Sequence, residues 1–509
     1  MTRRGLRSVV VGDLPDPGAF GAAFEGFMHA MTLAAVHGES EVAVSLREHL
    51  GSDPKELPTT GAEFSLAEQA NLQLALDAVL GDAEVLGFTA RHLGFASIGL
   101  SEILAGHAMT GPISFGPVQY ADVQVGDGRV IQCVASGVFL AVHAEAPVAL
   151  VLSRAGDHPM QPSSLKLEGV SPVRGAVSGL LGALRAAMRE HNVFRGQIIS
   201  LYQSGPHDQA VSVQFHAVPP VERDEVILPP GTLERLERHA IGAAERAEWL
   251  RSAGRHLKRG VLLHGPPGTG KTRSVMYLLH AMPGRTTILL TGRGLGLIEQ
   301  ALAIGRDLAP ATFVFEDIDL VAAERTMEFG SQGVLFELLN QMEGLAEDED
   351  LLFLLTTNRA DLLEPALAAR PGRVDVAVEI AVPDAPARER LMSLYGQDVP
   401  LALTPEDVNV AIERTDGTTA SFLKELIRRS VLESLHEDPA LTAVTGTHLT
   451  RALDDLLDAA QAVTRTLLGV GVDPADLPAG GVLQAGPVPG AMMAYHRQVM
   501  GRRMGHFRG

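Results

Sequence analysis

The stretch VLLHGPPGTGKT, residues 261–272, decides how this chain folds. Its first four residues predict a strand, and the rest match G-x-x-x-x-G-K-[ST] ahead of a predicted helix. Glycines let such a loop turn back, so that successive N–H groups face phosphate oxygens at the positive end of the helix. The pattern therefore predicts a nucleotide-phosphate loop made of Gly265, Pro266, Pro267, Gly268, Thr269, Gly270, Lys271 and Thr272.

Two side chains of this loop have distinct predicted roles. Lys271 would place its ammonium group on the β- and γ-phosphates of ATP, and the hydroxyl of Thr272 would ligate Mg²⁺. A chance glycine-rich turn is the alternative interpretation. It loses weight because the other parts of a nucleotide site follow along the chain.

A pair of carboxylates is the first of these parts. The segment TFVFEDID, residues 312–319, predicts a buried strand that ends at Glu316 and Asp317. Beside a bound phosphate, one carboxylate can hold the water shell of Mg²⁺ while the other polarises the attacking water. An acidic loop at a strand end is common by itself, but downstream of a phosphate loop it indicates the same site.

A polar amide and two arginines complete the predicted site. The strand LLFLLTTN ends at Asn358, whose side chain can contact the γ-phosphate or orient the water. Arg370 and Arg373 then follow a proline-containing turn. An arginine that reaches the γ-phosphate neutralises the charge that develops during phosphoryl transfer, which is the role of an arginine finger.

These segments resemble the AAA ATPases, the classical branch of the AAA+ superfamily of P-loop ATPases. The resemblance is carried by RGVLLHGPPGTGKT, APATFVFEDIDLVAAER, LFELLNQMEGLAEDEDLLFLLTTNRADLLEPAL and RPGRVD, and with the helical lid it extends over residues 226–468. It implies an α/β fold, a RecA-like P-loop αβα sandwich with a C-terminal helical lid. It also implies a homo-oligomeric ring, usually a hexamer, in which Arg370 and Arg373 act on the site of the adjacent subunit.

The chain departs from the family pattern at three places. The usual Asp-Glu order is reversed, so Glu316 takes the magnesium-side position and Asp317 the catalytic one, although Glu316 could instead swing into the role of base. The lid helix begins with Ala420, Ser421 and Phe422 where the family has Gly, Ala and Asp. No aromatic residue stands in the short turn at 292–296, where unfoldases of the family carry a pore loop, so substrate threading is doubtful.

Composition shifts along the chain predict its domain organisation. Residues 1–220 mix helical and alternating strand patterns and predict an N-terminal α/β domain for recognition or regulation. A proline-rich linker over 221–231 follows, and then a βαβ pattern predicts the large ATPase subdomain over 232–384. Helical periodicity predicts the lid over 385–469, and the Gly/Pro-rich, basic-ended segment 470–509 predicts a flexible tail.

Composition also restricts the class of protein. The formal net charge of −19 over 509 residues argues against a nucleic-acid binder, because such proteins display a basic face. Cys133 is the single cysteine, so no internal disulfide can form. The most apolar region, from Val134, is interrupted by charge and proline, and the start lacks a signal-peptide core. We therefore predict a soluble, cytoplasmic protein that does not enter a membrane.

Two functions of different classes fit these residues. The first is an ATPase with ATP and Mg²⁺ as its cofactors that remodels or disassembles a protein partner. The second is a nucleotide-gated scaffold or switch that assembles on ATP without translocating a substrate. The missing pore aromatic favours the second, whereas Asn358, Arg370 and Arg373 favour turnover. A DNA-associated motor is disfavoured by the overall acidity.

Overall fold

The structure is a computed structural model of the chain. It describes residues 23–27, 41–89, 98–105, 107–108, 111–126, 128–155, 164–203, 211–291, 296–318, 340–342, 344–346, 348–359 and 374–458. These residues do not include Arg370, Arg373, most of the short turn at 292–296 or the predicted tail. The described residues form two compact units, and in them no helix is both long and apolar enough to cross a membrane.

The first unit is built on an antiparallel sheet. Its strands are β1 Thr59–Ser65, β2 Glu84–Thr89, β3 His107–Ala108, β4 Gly111–Pro112, β5 Ser114–Gly116, β6 Gln119–Gln124, β7 Val130–His143, β8 Ala146–Ala155 and β9 Ser164–Val170. Its helices are α1 Glu41–Leu50, α2 Gln69–Leu80, α3 Leu100–Ala105 and α4 Ala176–Glu190. The main sheet has the order β1-β9-β8-β7-β2-β5, and β6 pairs with β7.

Both faces of this sheet are covered by helices. Leu150 and Leu152 of β8 lie in a cluster with apolar residues of α2 and α4, whereas Ala149 and Val151 lie in a cluster with α1 and α3. The alternation follows from the two-residue period of a strand. The predicted mixed α/β character of the N-terminal region is confirmed. Cys133 and Phe139 lie on one continuous strand, β7.

The second unit is built on a largely parallel sheet. Its strands are β10 Ile198–Gln203, β11 Val211–Phe215, β12 Arg259–His264, β13 Thr286–Leu290, β14 Ala311–Phe315, β15 Leu351–Thr357 and β16 Val376–Glu379. They have the order β11-β10-β13-β14-β15-β12-β16, and the pairs from β10 to β16 are parallel. Helices α5 Thr232–Glu245, α6 Ala247–Ser252, α7 Lys271–His280 and α8 Ile298–Asp307 belong to this subdomain.

The helices of the large subdomain make an αβα sandwich. Apolar residues of α5 and α7 share one cluster with Val261, Val314 and Leu354 of the sheet. On the other face, a Cβ at Gly305 of α8 would lie 2.2 Å from the Phe313 ring, so that helix lies directly on the sheet. The predicted RecA-like fold class is confirmed.

The strands β10 and β11 lie in this second sheet, although the sequence analysis placed them in the N-terminal domain ending at residue 220. Ile198 pairs with Thr287, and the Gly196 N–H donates to Thr286 Oγ1 over 3.1 Å. Since the alternation of apolar residues identifies a strand but not its neighbour, the sequence could not show which sheet they join. Both strands therefore belong to the sheet of the second unit and not to the predicted N-terminal domain.

The predicted linker is a packed segment. Val221 and Val226 are buried in the core of the large subdomain, whereas Ile227 is buried in the core of the lid. In the same segment, Glu225 forms an ion pair with Arg273 of α7 over 3.1 Å. The segment therefore connects the phosphate-loop helix to the lid.

Within residues 385–458 the lid contains four helices, in agreement with the predicted helical character. They are α9 Ala385–Tyr395, α10 Pro405–Arg414, α11 Ala420–Glu437 and α12 Gly446–Leu457, with a short parallel pair of β17 Leu401–Ala402 and β18 Val444–Thr445. Phe422, Leu423 and Leu426 of α11 are fully buried at its centre.

Candidate nucleotide site

The phosphate loop connects the carboxyl end of β12 to the amino end of α7. Gly265, Gly268 and Gly270 have φ angles of 144°, 80° and 108°, which L side chains rarely adopt. A Cβ at Gly265 would lie 2.3 Å from the Ile380 carbonyl oxygen. The loop can therefore curve over the end of α7 only because glycines stand at these positions.

The ammonium group of Lys271 is held inside this loop. Its Nζ donates to the Gly265 carbonyl at 2.8 Å, the Pro266 carbonyl at 2.9 Å and Asn358 Oδ1 at 2.8 Å. The side chain is 6% exposed. The parallel strands bring Asn358 here, because β12 and β15 are neighbours and both end at this edge of the sheet.

Glu316 follows the carboxyl end of β14 and is buried. Burial raises the pKa of its carboxyl group to about 7, the charge of Asp317 adds to the rise, and a hydrogen bond with the hydroxyl of Thr272 opposes it. Its Oε1 atom is buried and has no hydrogen-bond partner among the residues that the structure describes. A buried carboxylate oxygen beside a hydroxyl is a favourable place for a cation. The pair Thr272 and Glu316 thus fits the Mg²⁺ that accompanies ATP.

Asp317 has an unusual backbone for a residue with a side chain. Its φ is 47°, in the left-handed region, where a non-glycine residue is strained by about 1–3 kcal/mol. Its N–H donates to Thr356 Oγ1 over 2.9 Å. Its Oδ1 accepts from Asn358 Nδ2 over 3.2 Å. Contacts therefore connect Lys271, Asn358, Asp317 and Thr356 in sequence across the edge of the sheet.

The lid contacts the phosphate loop through the start of α11. The Ser421 N–H donates to the Gly268 carbonyl over 3.0 Å, and Thr419 caps the helix by accepting from Phe422 N. A Cβ at Gly268 would lie 2.8 Å from Ser421 Oγ. The departure from the family pattern at 420–422 thus leaves the backbone of the lid against the loop.

The structure brings together the predicted phosphate loop, Glu316, Asp317 and Asn358. Arg370 and Arg373 lie outside the described residues. The sequence analysis missed Thr356 and the contact of Ser421. Thr356 is the penultimate residue of β15 and stands two residues before Asn358, so it lies at the same end of the strand, and this spacing was a usable signal.

Comparisons with known proteins identify the family to which the phosphate-loop region is similar. Residues 261–382 match the family described as ATPase family associated with various cellular activities (AAA). This part of the chain is an AAA domain, which confirms the resemblance carried by the phosphate loop and the acidic strand end.

Individual relatives and one solved structure match part of the chain. Protein CdcH of Halobacterium salinarum is 33% identical over 208 residues, which are 39% of this chain and 28% of that protein. The ATP-dependent zinc metalloprotease FtsH of Mycoplasmopsis synoviae is 30% identical over 218 residues, 38% of this chain and 32% of the relative. The crystal structure of the FIGL-1 AAA domain is 22% identical with a TM-score of 0.40, over 48% of this chain and 86% of that one. The chain thus spans less than a third of the length of these two curated relatives.

Proposed function

We propose that the chain binds ATP at residues 265–272 and hydrolyses it. The contacts that join Lys271, Asn358 and Asp317 at one edge of the sheet are the observation that carries this proposal. These contacts hold the ammonium group of Lys271, the amide of Asn358 and the carboxylate of Asp317 together at the amino end of α7. A helix of this length directs its N–H groups and positive dipole end towards phosphate oxygens.

Each side chain has a role in this proposal. Lys271 exchanges its carbonyl partners for the β- and γ-phosphates, and Thr272 and Glu316 hold Mg²⁺. When bound, Mg²⁺ neutralises charge on the phosphate oxygens. Asp317 accepts a proton from the attacking water, and Asn358 orients that water or contacts the γ-phosphate. Arg370 and Arg373 neutralise the charge that develops in the transition state, from an adjacent subunit.

We further propose that turnover remodels or disassembles a protein partner, with the chain assembled as a hexameric ring. The AAA domain and the name of its relative FtsH, an ATP-dependent metalloprotease, support a protein substrate. The first unit, a separate α/β fold, would dock the partner. ATP and ADP would favour different lid positions, since the lid contacts the phosphate loop directly.

The second candidate is a nucleotide-gated scaffold that assembles on ATP without moving a substrate. The absence of an aromatic residue from 292–296 favours it. The two candidates share the nucleotide site and differ in whether turnover is needed for action.

Steady-state ATP hydrolysis by the purified chain is the first test. The wild type is expected to release phosphate, whereas Lys271→Ala should lose nucleotide binding and turnover together, because the cation for the β- and γ-phosphates is gone. Fluorescent-nucleotide binding and phosphate release measure the two effects. A wild-type protein that assembles and binds ATP but releases no phosphate would contradict hydrolysis and favour the scaffold.

The trans action of the arginines is tested by mixing two inactive variants. One carries Arg370→Ala and Arg373→Ala, and the other carries Lys271→Ala. Mixed rings are expected to recover part of the turnover, because the first variant binds ATP and its neighbour supplies the arginines. Recovery that fails, with mixed assembly verified by a tag on one variant, would mean that the arginines act within their own chain.

A further inference from the structure

The catalytic carboxylate of the proposed site is held where the sheet pairing stops. The strands β14 and β15 pair in register as far as Phe315 and Leu355. Beyond this point, Glu316 and Asp317 have no strand partner in the register. The Asp317 backbone then turns into the left-handed region, with φ of 47°.

Thr356 supplies an acceptor for this turn. It lies one residue beyond Leu355 on β15, and its side chain is buried, with 1% of its surface exposed. Its Oγ1 accepts the Asp317 N–H over 2.9 Å, in place of the carbonyl that a continued ladder would offer. Asn358, which directly follows β15, donates through Nδ2 to the Asp317 carboxylate over 3.2 Å. The end of β15 thus contacts both the backbone and the side chain of Asp317.

We infer that Thr356 is a positioning residue that sets the place of the Asp317 carboxylate. Aspartate is one methylene shorter than glutamate, so the reach of Asp317 depends on where its Cα lies. The hydrogen bond from its N–H to Thr356 Oγ1 fixes that Cα in the turned conformation. Without the hydroxyl, the turn loses its acceptor, and the carboxylate moves relative to the phosphates. The inference rests on the proposed hydrolysis of ATP and assigns a residue to it.

The test is Thr356→Val, which keeps the branched shape and removes the acceptor. We expect kcat for ATP to fall about 10- to 100-fold, because a small displacement of a catalytic group has an effect of this size. KM and nucleotide affinity should change little, since Thr356 does not belong to the phosphate loop. Thr356→Ser retains the hydroxyl and should restore most of kcat.

A matched control is Thr287→Val on β13. Thr287 is also a buried threonine of this sheet, 3% exposed, and it pairs with Thr312, five residues before Asp317. Its substitution should leave kcat at the wild-type value. Thr356→Ala removes the hydroxyl in a second way. Unaltered nucleotide binding by Thr356→Val or Thr356→Ala shows that the site is folded.

A double-mutant cycle separates positioning from general support of the fold. In the Asp317→Asn background, Thr356→Val should cause no further loss of kcat, because the group that it positions no longer works. If the wild type hydrolyses ATP, and Thr356→Val and Thr356→Ala both have wild-type kcat, the inference about Thr356 is wrong while the proposed hydrolysis stands. Independent, multiplicative losses in the cycle would overturn it too. A wild type that binds ATP without turnover would instead overturn the proposed function.

Discussion

An Asp317→Asn variant is expected to bind ATP with nearly wild-type affinity and to hydrolyse it about 100- to 10,000-fold more slowly, the usual contribution of a general base. Asparagine has the same shape and tolerates the left-handed backbone at φ 47°. Its Oδ1 can still accept from Asn358, but an amide takes no proton from water. Phosphate release in the steady state and equilibrium nucleotide binding measure the two quantities.

The matched control for this substitution is Asp398→Asn, at an exposed position after α9. It removes the same charge away from the site and should leave turnover unchanged. Glu316→Gln decides between the two carboxylates. If Asp317→Asn kept wild-type turnover while Glu316→Gln lost it with ATP still bound, Glu316 would be the base and the assignment to Asp317 would be wrong.

The sequence predicts those parts of the site that depend on short, local residue patterns. Residues 265–272 form the phosphate loop and the start of α7, because glycines, a lysine and a hydroxyl residue have fixed spacing between a strand and a helix. Glu316, Asp317 and Asn358 each follow an apolar strand, and parallel strands bring their carboxyl ends to one edge. Periodicity and turn chemistry suffice for such features, for the βαβ pattern and for the helices of the lid, whereas the αβα sandwich was implied by the family resemblance.

The rest depends on tertiary partners that no local pattern specifies. The strands β10 and β11 have an ordinary strand pattern, and only the pairing of Ile198 with Thr287 reveals their sheet. Thr356 is one of two adjacent threonines, and its role depends on the backbone conformation of Asp317. The linker pattern at 221–231 reflects proline and charge, yet burial of Ile227 in the lid makes the segment part of the fold.

Two arginines and one aspartate form a buried cluster at the amino ends of the parallel strands, and this cluster leads to a prediction about stability. Arg259 begins β12, Arg285 precedes β13 and Asp350 precedes β15, and each is 8% exposed. Arg285 Nη1 donates to Asp350 Oδ1 over 2.9 Å, and Arg259 Nη1 lies 3.5 Å from the same oxygen. Burial, with the charge of Arg285 as a further cause, lowers the pKa of Arg259 to about 10. The carboxylate of Asp350 therefore lies within 3.5 Å of both buried guanidinium groups, and the charge of Asp375 also acts on Arg259.

We expect Asp350→Ala to lower the free energy of unfolding by about 3–5 kcal/mol, because removing one partner leaves buried charge without compensation. Asp348→Ala, two residues away and exposed, is the control and should stay within about 0.5 kcal/mol of the wild type. Urea unfolding measures both. Adding Arg259→Met to Asp350→Ala should recover part of the loss, since one of the two uncompensated charges is then gone and the stem of the side chain is kept. If Asp350→Ala were as stable as its control, the prediction would be wrong, because the carboxylate would not be needed to hold the arginines. The remaining hydrogen bonds of Arg285 would then have to suffice. Arg285 donates to Ala311 O over 2.8 Å and to Thr312 Oγ1 over 3.2 Å.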